Sequence, residues 1–584
     1  MLGVCRVPPS VLRLSELKLP LDHGPEDLQR AICRRLGIPA GALRSSHLVK
    51  RSVDARRSDA IRLVYSLDLE LNLSAEELRR LRARFRHDPH LRPTPECRYR
   101  LVVDAASGAA SAAANRPRPV VVGAGPCGYF AALLLAQMGL RPLLLERGKA
   151  VRERSADTFG FWRGERPFQP ESNAQFGEGG AGTFSDGKLY SQVSESPALI
   201  RKVLEELVAA GANPEILTLH RPHIGTFKLA TVVRGLRRRI EELGGEVRFA
   251  ARLEGLELDP EQRVVRGLLL AGGERIAADQ VVLAVGHSAR DTFAALHRQG
   301  VAMEVKPFAI GLRIEHPQGL IDRARWGASA GHPLLGAAEY KLVHHEPSAG
   351  HGERRSAWSF CMCPGGLVVG ATSEPEAVVT NGMSQHSRNE RNANSALVVN
   401  VERGDLEGWG QQPGDPLAGV AFQRHWERQA FLAGGGDYRA PAQWVDDFLA
   451  HRPSRDDGRE GVVGSYQPGL RLTSLDTCLP DWALQTIRGA LPAFERRLPG
   501  FCGAGALLTG VETRTSSPVR FLRDGVTLES LNTPGLFPAG EGAGFAGGIL
   551  SAAIDGIRVA EALALTRLRL QHPGERGESA CAQA

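Results

Sequence analysis

Lysine is scarce in this chain: only eight of the 72 basic residues are Lys. Against 65 acidic residues the net charge is +7, carried almost wholly by arginines spread along the sequence. Nucleic-acid surfaces show clustered basic residues, and no cluster occurs here, so no DNA partner is expected. An anionic small-molecule substrate suits the arginine excess better. Cysteine is sparse too. The nine cysteines, at positions 5, 33, 97, 127, 361, 363, 478, 502 and 581, include no CxxC pair, which argues against a disulfide framework or zinc ribbon and fits a reducing cytoplasm. No apolar run reaches the ~18 residues that a membrane span needs. Residues 1–20 carry Arg6, Arg13, Glu16 and Lys18 without an uninterrupted apolar core, so no signal peptide is expected. Glycine, by contrast, is abundant at 66 of 584 residues, above the usual ~7%. The length implies roughly three or four folded units, and 42% hydrophobic with 23% charged residues is an ordinary globular balance.

The first hundred residues read as β, α, β, β, α, β. Strands are expected over 11–18, 43–53, 61–71 and 97–103, and helices from Pro25 to a stop at Gly37 and again after Ser74, whose Glu77 has capping-box spacing. That order predicts a ferredoxin-like split βαβ domain over 1–104. The low-complexity stretch 105–116 (DAASGAASAAANR begins at Asp104) reads as a linker. Further on, helices are expected over 198–210 and 229–243, then strands over 246–258, 264–270 and 280–285.

From Pro119 the pattern becomes strand, glycine loop, helix, strand. In GAGPCG, Gly123 makes the tight turn, Gly125 lets a pyrophosphate approach the backbone between Ala124 and Pro126, and Gly128 lets helix and strand pack closely. The helix that opens there presents unpaired N–H groups to an anion. Glu146 ends the following strand about 20 residues on, where an acid accepts ribose hydroxyls, and Arg147 follows it. Cys127, inside the turn, is assigned no redox role.

These residues, with AVGHSARD (284–291) and GEGAGFAGGILSAAIDGI (540–557), resemble the FAD-binding half of glutathione-reductase-like flavoproteins. The resemblance implies that Gly286 passes close to FAD, with Val285 in place of the usual Thr. It implies a returning strand over 536–539 beside the first βαβ unit. Gly540 and Glu541 follow, where relatives have Asp for the ribityl hydroxyls, and Gly547, Gly548 and Ile549 open a helix toward the flavin. NAQFGEGGAGTFSDGKLYS (173–191), SFCMCPGGLVVGATSEPEAVVTNGMS (359–384), RNANSALVV (391–399) and LLTGVETRTSSPVR (507–520) narrow it. Together these strings resemble the uncharacterised FAD-dependent dehydrogenase family, NAD(P)/FAD-dependent oxidoreductases, with an N-terminal ferredoxin-like domain and a family-specific domain set into the FAD fold. The implied architecture is α/β: a Rossmann-like FAD-binding domain at 117–305 and 506–570, an inserted α+β substrate domain at 306–505, and a tail at 571–584. PHIGT (222–226) continues with Phe227 where an acid is expected.

Several residues keep two readings. Gly179, Gly180, Gly182 and Thr183 belong to a loop that brings N–H groups to a pyrophosphate or flavin ring, or to a surface loop. Lys188 is a flavin or substrate contact, or a surface lysine. Arg514 and Arg520, beside Thr513, Thr515, Ser516 and Ser517, clamp an anion, or pair with Glu512 and Asp524. Cys361 and Cys363 form a redox pair, or small buried hydrophobes. His344, His345 and His351 match no metal pattern, so no metal is expected.

A catalytic acid or base is not identifiable. The leading expectation is an oxidoreductase in which non-covalent FAD exchanges a hydride or electrons with a small substrate. Only one dinucleotide fingerprint is present, so NAD(P)H is expected at most as a transient reductant. The alternative is a non-catalytic or sensing flavoprotein whose N-terminal domain docks a partner or RNA.

Overall fold

The computed structural model describes residues 11–105, 116–190, 195–346, 355–458, 460–503 and 505–571. The expected linker, His351 and the tail beyond 571 lie outside these residues, apart from the linker's two ends.

The N-terminal strands Val11–Pro20, Leu43–Asp54, Arg62–Leu71 and Leu91–Pro93 form one antiparallel sheet in the order second, third, first, fourth. Alternation in RLVYSLDLEL puts Leu63, Leu67, Leu69 and Leu71 in the core. The helix Pro25–Leu36 stops at Gly37, in the left-handed region at φ 63°. The helix Ala75–Arg84 is capped as its spacing requires: Ser74 Oγ accepts from the Glu77 N–H and the Glu77 carboxylate accepts from the Ser74 N–H. The fourth strand differs from expectation. Residues 97–103 form no strand, because Tyr99 and Val103 are drawn into a different core, where the Tyr99 hydroxyl donates to Glu561 at 2.6 Å.

The second layer is a five-stranded parallel sheet in the order Leu536–Pro538, Val281–Leu283, Val120–Val122, Leu143–Leu145, Glu246–Arg248. Such sheets are buried on both faces, and these strands read VVV, LLL, VVL and LFP accordingly, only the edge strand EVR being polar. The returning strand Leu536–Pro538 therefore pairs not with the first βαβ unit but with Val281–Leu283, which lies between them. The helix Pro126–Gln137 is apolar on every side because it packs between this sheet and the helix Ile549–Gln571.

The third layer is an eight-stranded sheet. Phe308–Pro317 runs at its centre between Asn392–Val401 and Leu507–Glu512. Ser356–Gly370 lies beyond Asn392–Val401, and Ala440–Trp444 beyond Leu507–Glu512. Leu507–Glu512 thus carries this sheet past residue 505. Among the described residues no helix is long and apolar enough to cross a membrane.

Candidate functional site

The C-terminal ends of the parallel strands open on a cavity of about 1780 Å³. Gly123 turns the chain at φ 106°, and a Cβ there would lie 2.3 Å from the Ala284 carbonyl oxygen. At Gly128 a Cβ would meet the Gly123 oxygen at 1.8 Å. The side of Gly125 that a Cβ would fill faces the cavity, with nothing nearer than the Gly180 Cα at 3.9 Å. With Gly125 as N-cap, the Cys127 and Gly128 N–H groups have no intrahelical acceptor. Gly286 also has open space where a side chain would be. This bare backbone cradle fits a pyrophosphate and a flat ring system, as FAD requires.

Glu146 is buried and more occupied than the sequence foretold. Its carboxylate accepts the N–H groups of Ala124 at 2.8 Å, Gly148 at 2.9 Å and Gly177 at 2.9 Å. It ties both glycine loops to the strand end while still lining the cavity. Arg147 lines the cavity too, stacked 3.9 Å over Phe176 and paired with Glu171 and Asp291. Glu146→Ala should weaken FAD binding by about 1 to 3 kcal/mol, since it strands hydrogen-bonding groups of the loops and of the ribose together. Equilibrium dialysis of FAD against the variant checks this, and unchanged affinity would refute the assignment.

Sequence reasoning missed what shapes the second glycine loop. The buried Arg154 guanidinium donates to the carbonyls of Asn173, Ala174, Gly177, Glu178 and Gly180 at 2.8–3.2 Å. Burial lowers its pKa to about 10, which leaves it charged at neutral pH. Glu178, also missed, accepts from the Tyr129 hydroxyl at 2.9 Å and the Val151 N–H at 2.7 Å and pairs with Arg237. Gly180 and Gly182 reach the cavity, whereas Thr183 is buried away from it, its Oγ donating to the Glu178 carbonyl. Ala124, Gly128, Gly179 and Gly540 likewise lie behind the lining, and Pro126, Cys127, Gly547, Gly548 and Ile549 form part of it. The Cys127 thiol is raised well above its ordinary pKa by burial.

Glu541 faces the cavity and accepts from the Ser517 N–H at 3.2 Å. Burial pushes its carboxyl up to about 7, against the pull of Lys306. A carboxyl raised in the folded state binds more protons folded than unfolded, so apo-protein stability should fall by about 1 to 3 kcal/mol between pH 4.5 and 7. Glu541→Gln should flatten that part of the profile, which chemical denaturation across the range will measure.

Lys188 lines the cavity rather than the outer surface; its ammonium donates to the Met362 carbonyl and lies 3.7 Å from Asp186. Burial opposes its charge, yet the Cys363 and Cys361 thiols and Asp186 around it hold its pKa above the ordinary value. His287, which the sequence left unremarked, lines the cavity beside Gly286, its Nδ1 3.1 Å from Ser288 Oγ. Burial, with Arg514 and Arg290 nearby, holds its imidazole down to about 3, so it is neutral at physiological pH.

The expected arginine clamp is not assembled. Arg514 lines the cavity but is held by Glu427, through Nε at 3.0 Å and Nη2 at 2.8 Å, with Ser288 and Ser373 on Nη1. Arg520 lies outside the lining, half-exposed, 4.0 Å from Glu304 and against Phe545. The hydroxyls of Thr513, Thr515 and Ser517 are spent on Glu427, the Ala309 carbonyl and the Val519 carbonyl. Among the described residues no group of three or more His, Cys, Asp or Glu side chains is placed to hold a metal ion.

Residues 117–306 match the family described as pyridine nucleotide-disulphide oxidoreductase. Residues 307–515 match that described as FAD-dependent protein, C-terminal domain-like, and 11–70 match a domain of unknown function. An uncharacterized protein of Clostridium beijerinckii is 42% identical over 550 residues, 94% of this chain and 98% of its own. The chain belongs to this uncharacterised FAD-dependent oxidoreductase family. Its cofactor is FAD. Solved structures that the chain matches include CtdE in complex with FAD, 12% identical with TM-score 0.31, covering 79% of this chain and 89% of that one. The flavin-dependent brominase Bmp2 is 12% identical with TM-score 0.34, covering 78% of this chain and 80% of that one.

Proposed function

We propose that this FAD-dependent protein is an enzyme that exchanges a hydride or an electron pair between non-covalently bound FAD and a small anionic molecule. One observation carries the reading: a single cavity is lined both by the cofactor cradle, with Gly125, Gly286 and Gly547, and by Lys188, Asn381 and Cys361 beyond it. FAD supplies the redox chemistry when bound. Gly125 and the helix start would hold its pyrophosphate, Glu146 its ribose, and Glu541 its ribityl chain. Lys188, enclosed and charged, would orient an anionic substrate group. His287, neutral beside Gly286, would offer a hydrogen bond to a bound molecule rather than take up a proton. The glycines between Ile200 and Asp291 form no second GxGxxG, which supports transient use of NAD(P)H. Free thiols at the described cysteines suit a reducing cytoplasm. Anaerobic mixing tests the proposal: NADH, NADPH or an anionic metabolite should bleach the flavin rapidly, while inertness toward all of them would favour a sensing flavoprotein.

Domain boundaries near 104 and 305, with a ferredoxin-like N-terminal unit, belong to the same proposal. The strand order supports that unit's fold, and Arg13, Lys50 and Arg98 make it one wall of the cavity. It is fastened by the Arg51 N–H to the Thr218 carbonyl at 2.7 Å and the His220 N–H to the Arg51 carbonyl at 2.9 Å. Protein lacking residues 1–104 should keep FAD but melt at a lower temperature, as flavin content and thermal denaturation will show. Loss of flavin would place the boundary elsewhere.

A further inference from the structure

The cavity that contains the flavin cradle is larger than one ligand requires, about 1780 Å³ against roughly 300 to 1,000 Å³ for a typical small-molecule site. Beyond the cradle it extends to the N-terminal domain, and one short segment spans that distance. At its far end Leu219 is bridged to Arg51 on the strand Leu43–Asp54, where the Arg51 N–H donates to the Thr218 carbonyl at 2.7 Å. At its near end His223 is bridged to Lys188, and the Leu189 N–H donates to the Pro222 carbonyl at 2.9 Å. Four steps of chain separate Leu219 from His223, so the two bridges stand at most roughly 14 Å apart. Leu43–Asp54 is an outer strand of its sheet, and the bridge to Leu219 uses part of its open edge to fix the wall in place.

The space between the bridges is apolar. Leu48 is 38% exposed and Ile200, Leu217 and Leu219 are half-buried, and all four line the cavity. Apolar side chains left open in a concavity gain by meeting the apolar part of a ligand. Cations stand at both ends. Lys188 is enclosed at the near end, and Asp186 beside it is itself held by Arg388. At the N-terminal wall Lys50 and Arg98 line the cavity without an acidic partner among the described residues. The acids on that side are already taken: Asp68 by Arg13 at 2.8 Å, Glu205 by Arg201 at 2.6 Å, and Glu339 by Arg221. Burial, Lys50 and Arg221 hold the His220 imidazole below its ordinary pKa, so the Lys50 charge is felt over the same segment.

We propose that the substrate is an elongated dianion, with one acidic group at Lys188, an apolar body over Leu48, Ile200, Leu217 and Leu219, and a second acidic group at Lys50 and Arg98. The N-terminal domain then selects the substrate by its length and its far charge. The inference rests on the reading that this cavity holds a substrate next to bound FAD.

Flavin difference absorbance of the holoprotein, titrated with linear acids, tests it. Sebacate, a dicarboxylate with an apolar middle, should perturb the flavin spectrum saturably. It should bind about tenfold more tightly than succinate, which is too short, and than decanoate, which lacks the second carboxylate. Lys50→Gln combined with Arg98→Gln should abolish the advantage of sebacate and leave decanoate affinity unchanged. Neither side chain has an ion pair to lose, so the double variant should keep its FAD. Equal affinity for sebacate and decanoate, an advantage that survives in the double variant, or no saturable change with any of the acids would overturn the inference. Those outcomes leave the flavin content and the reduction by NADH or NADPH untouched, whereas a holoprotein that binds sebacate yet resists every reductant would overturn the redox reading alone.

Discussion

Arg154→Ala should strip the protein of most of its FAD and lower its stability by about 3 to 5 kcal/mol, the scale for removing one partner of a buried charged network. The guanidinium holds five carbonyls of the 173–180 segment inward. Without it those acceptors are buried unpaired, each costing about 1 to 3 kcal/mol unless the loop unfolds to reach water. The loop is the cheaper part to release, so cofactor retention should fall before global stability does. Arg154→Lys keeps the charge but has three donors on one atom and cannot span the five acceptors. It should recover part of the stability and little of the FAD affinity. Flavin fluorescence after gel filtration, with thermal denaturation of the apo-protein, separates the two effects. Full flavin occupancy in Arg154→Ala would show that the loop does not contact the cofactor.

Glu427→Ala should be the most destabilising change away from the cofactor cradle. Glu427, on the helix Ala418–Gly434, accepts from Arg290 at 2.7 and 2.9 Å and from Arg514 at 2.8 and 3.0 Å. All three side chains are buried, so losing the carboxylate leaves Arg514 with no acidic partner and Arg290 with Glu374 alone, at about 3 to 5 kcal/mol. Burial alone would raise the carboxyl, but Arg290 and Arg514 hold it far below the usual range. A carboxylate depressed in the folded state contributes stability above its unfolded pKa near 4.5 and loses it as pH falls. Glu427→Gln should therefore be less stable at pH 7 and lose less on acidification to pH 3. Denaturant melts at both values test this; parallel profiles for wild type and variant would remove Glu427 from the acid response.

Both predictions concern residues that the sequence did not single out. Arg154 sits in a polar helical stretch, VRERSADTFGFW, where any of its charges reads as solvated. Its acceptors are backbone carbonyls, which no side-chain pattern reveals. Glu427 lies 137 residues from Arg290 and 87 from Arg514, and periodicity says nothing of such pairings. Sequence neighbours suggested Glu512 as the partner of Arg514, but Glu512 is turned to Arg313 instead. The strand ends at Glu512, and Arg514, two residues on, reaches instead to Glu427 on the helix Ala418–Gly434.

The sequence alone determined the strand-glycine-helix unit from Val120 to Glu146, the first five N-terminal elements, the Ser74 cap and the cofactor family, because each is written in contiguous residues. Gly123 and Gly128 have no room for a Cβ, so their identity is a local backbone requirement and legible as such. Tertiary structure decided the rest. It set Val281–Leu283 between the returning strand and Val120–Val122, turned Lys188 inward to Met362, and removed Arg520 from the cavity. It also drew Tyr99 into the core of the FAD-binding helices rather than into the strand expected over 97–103. These outcomes depend on which surfaces meet after the layers pack, and burial and charge pairing across long chain separations are settled only there.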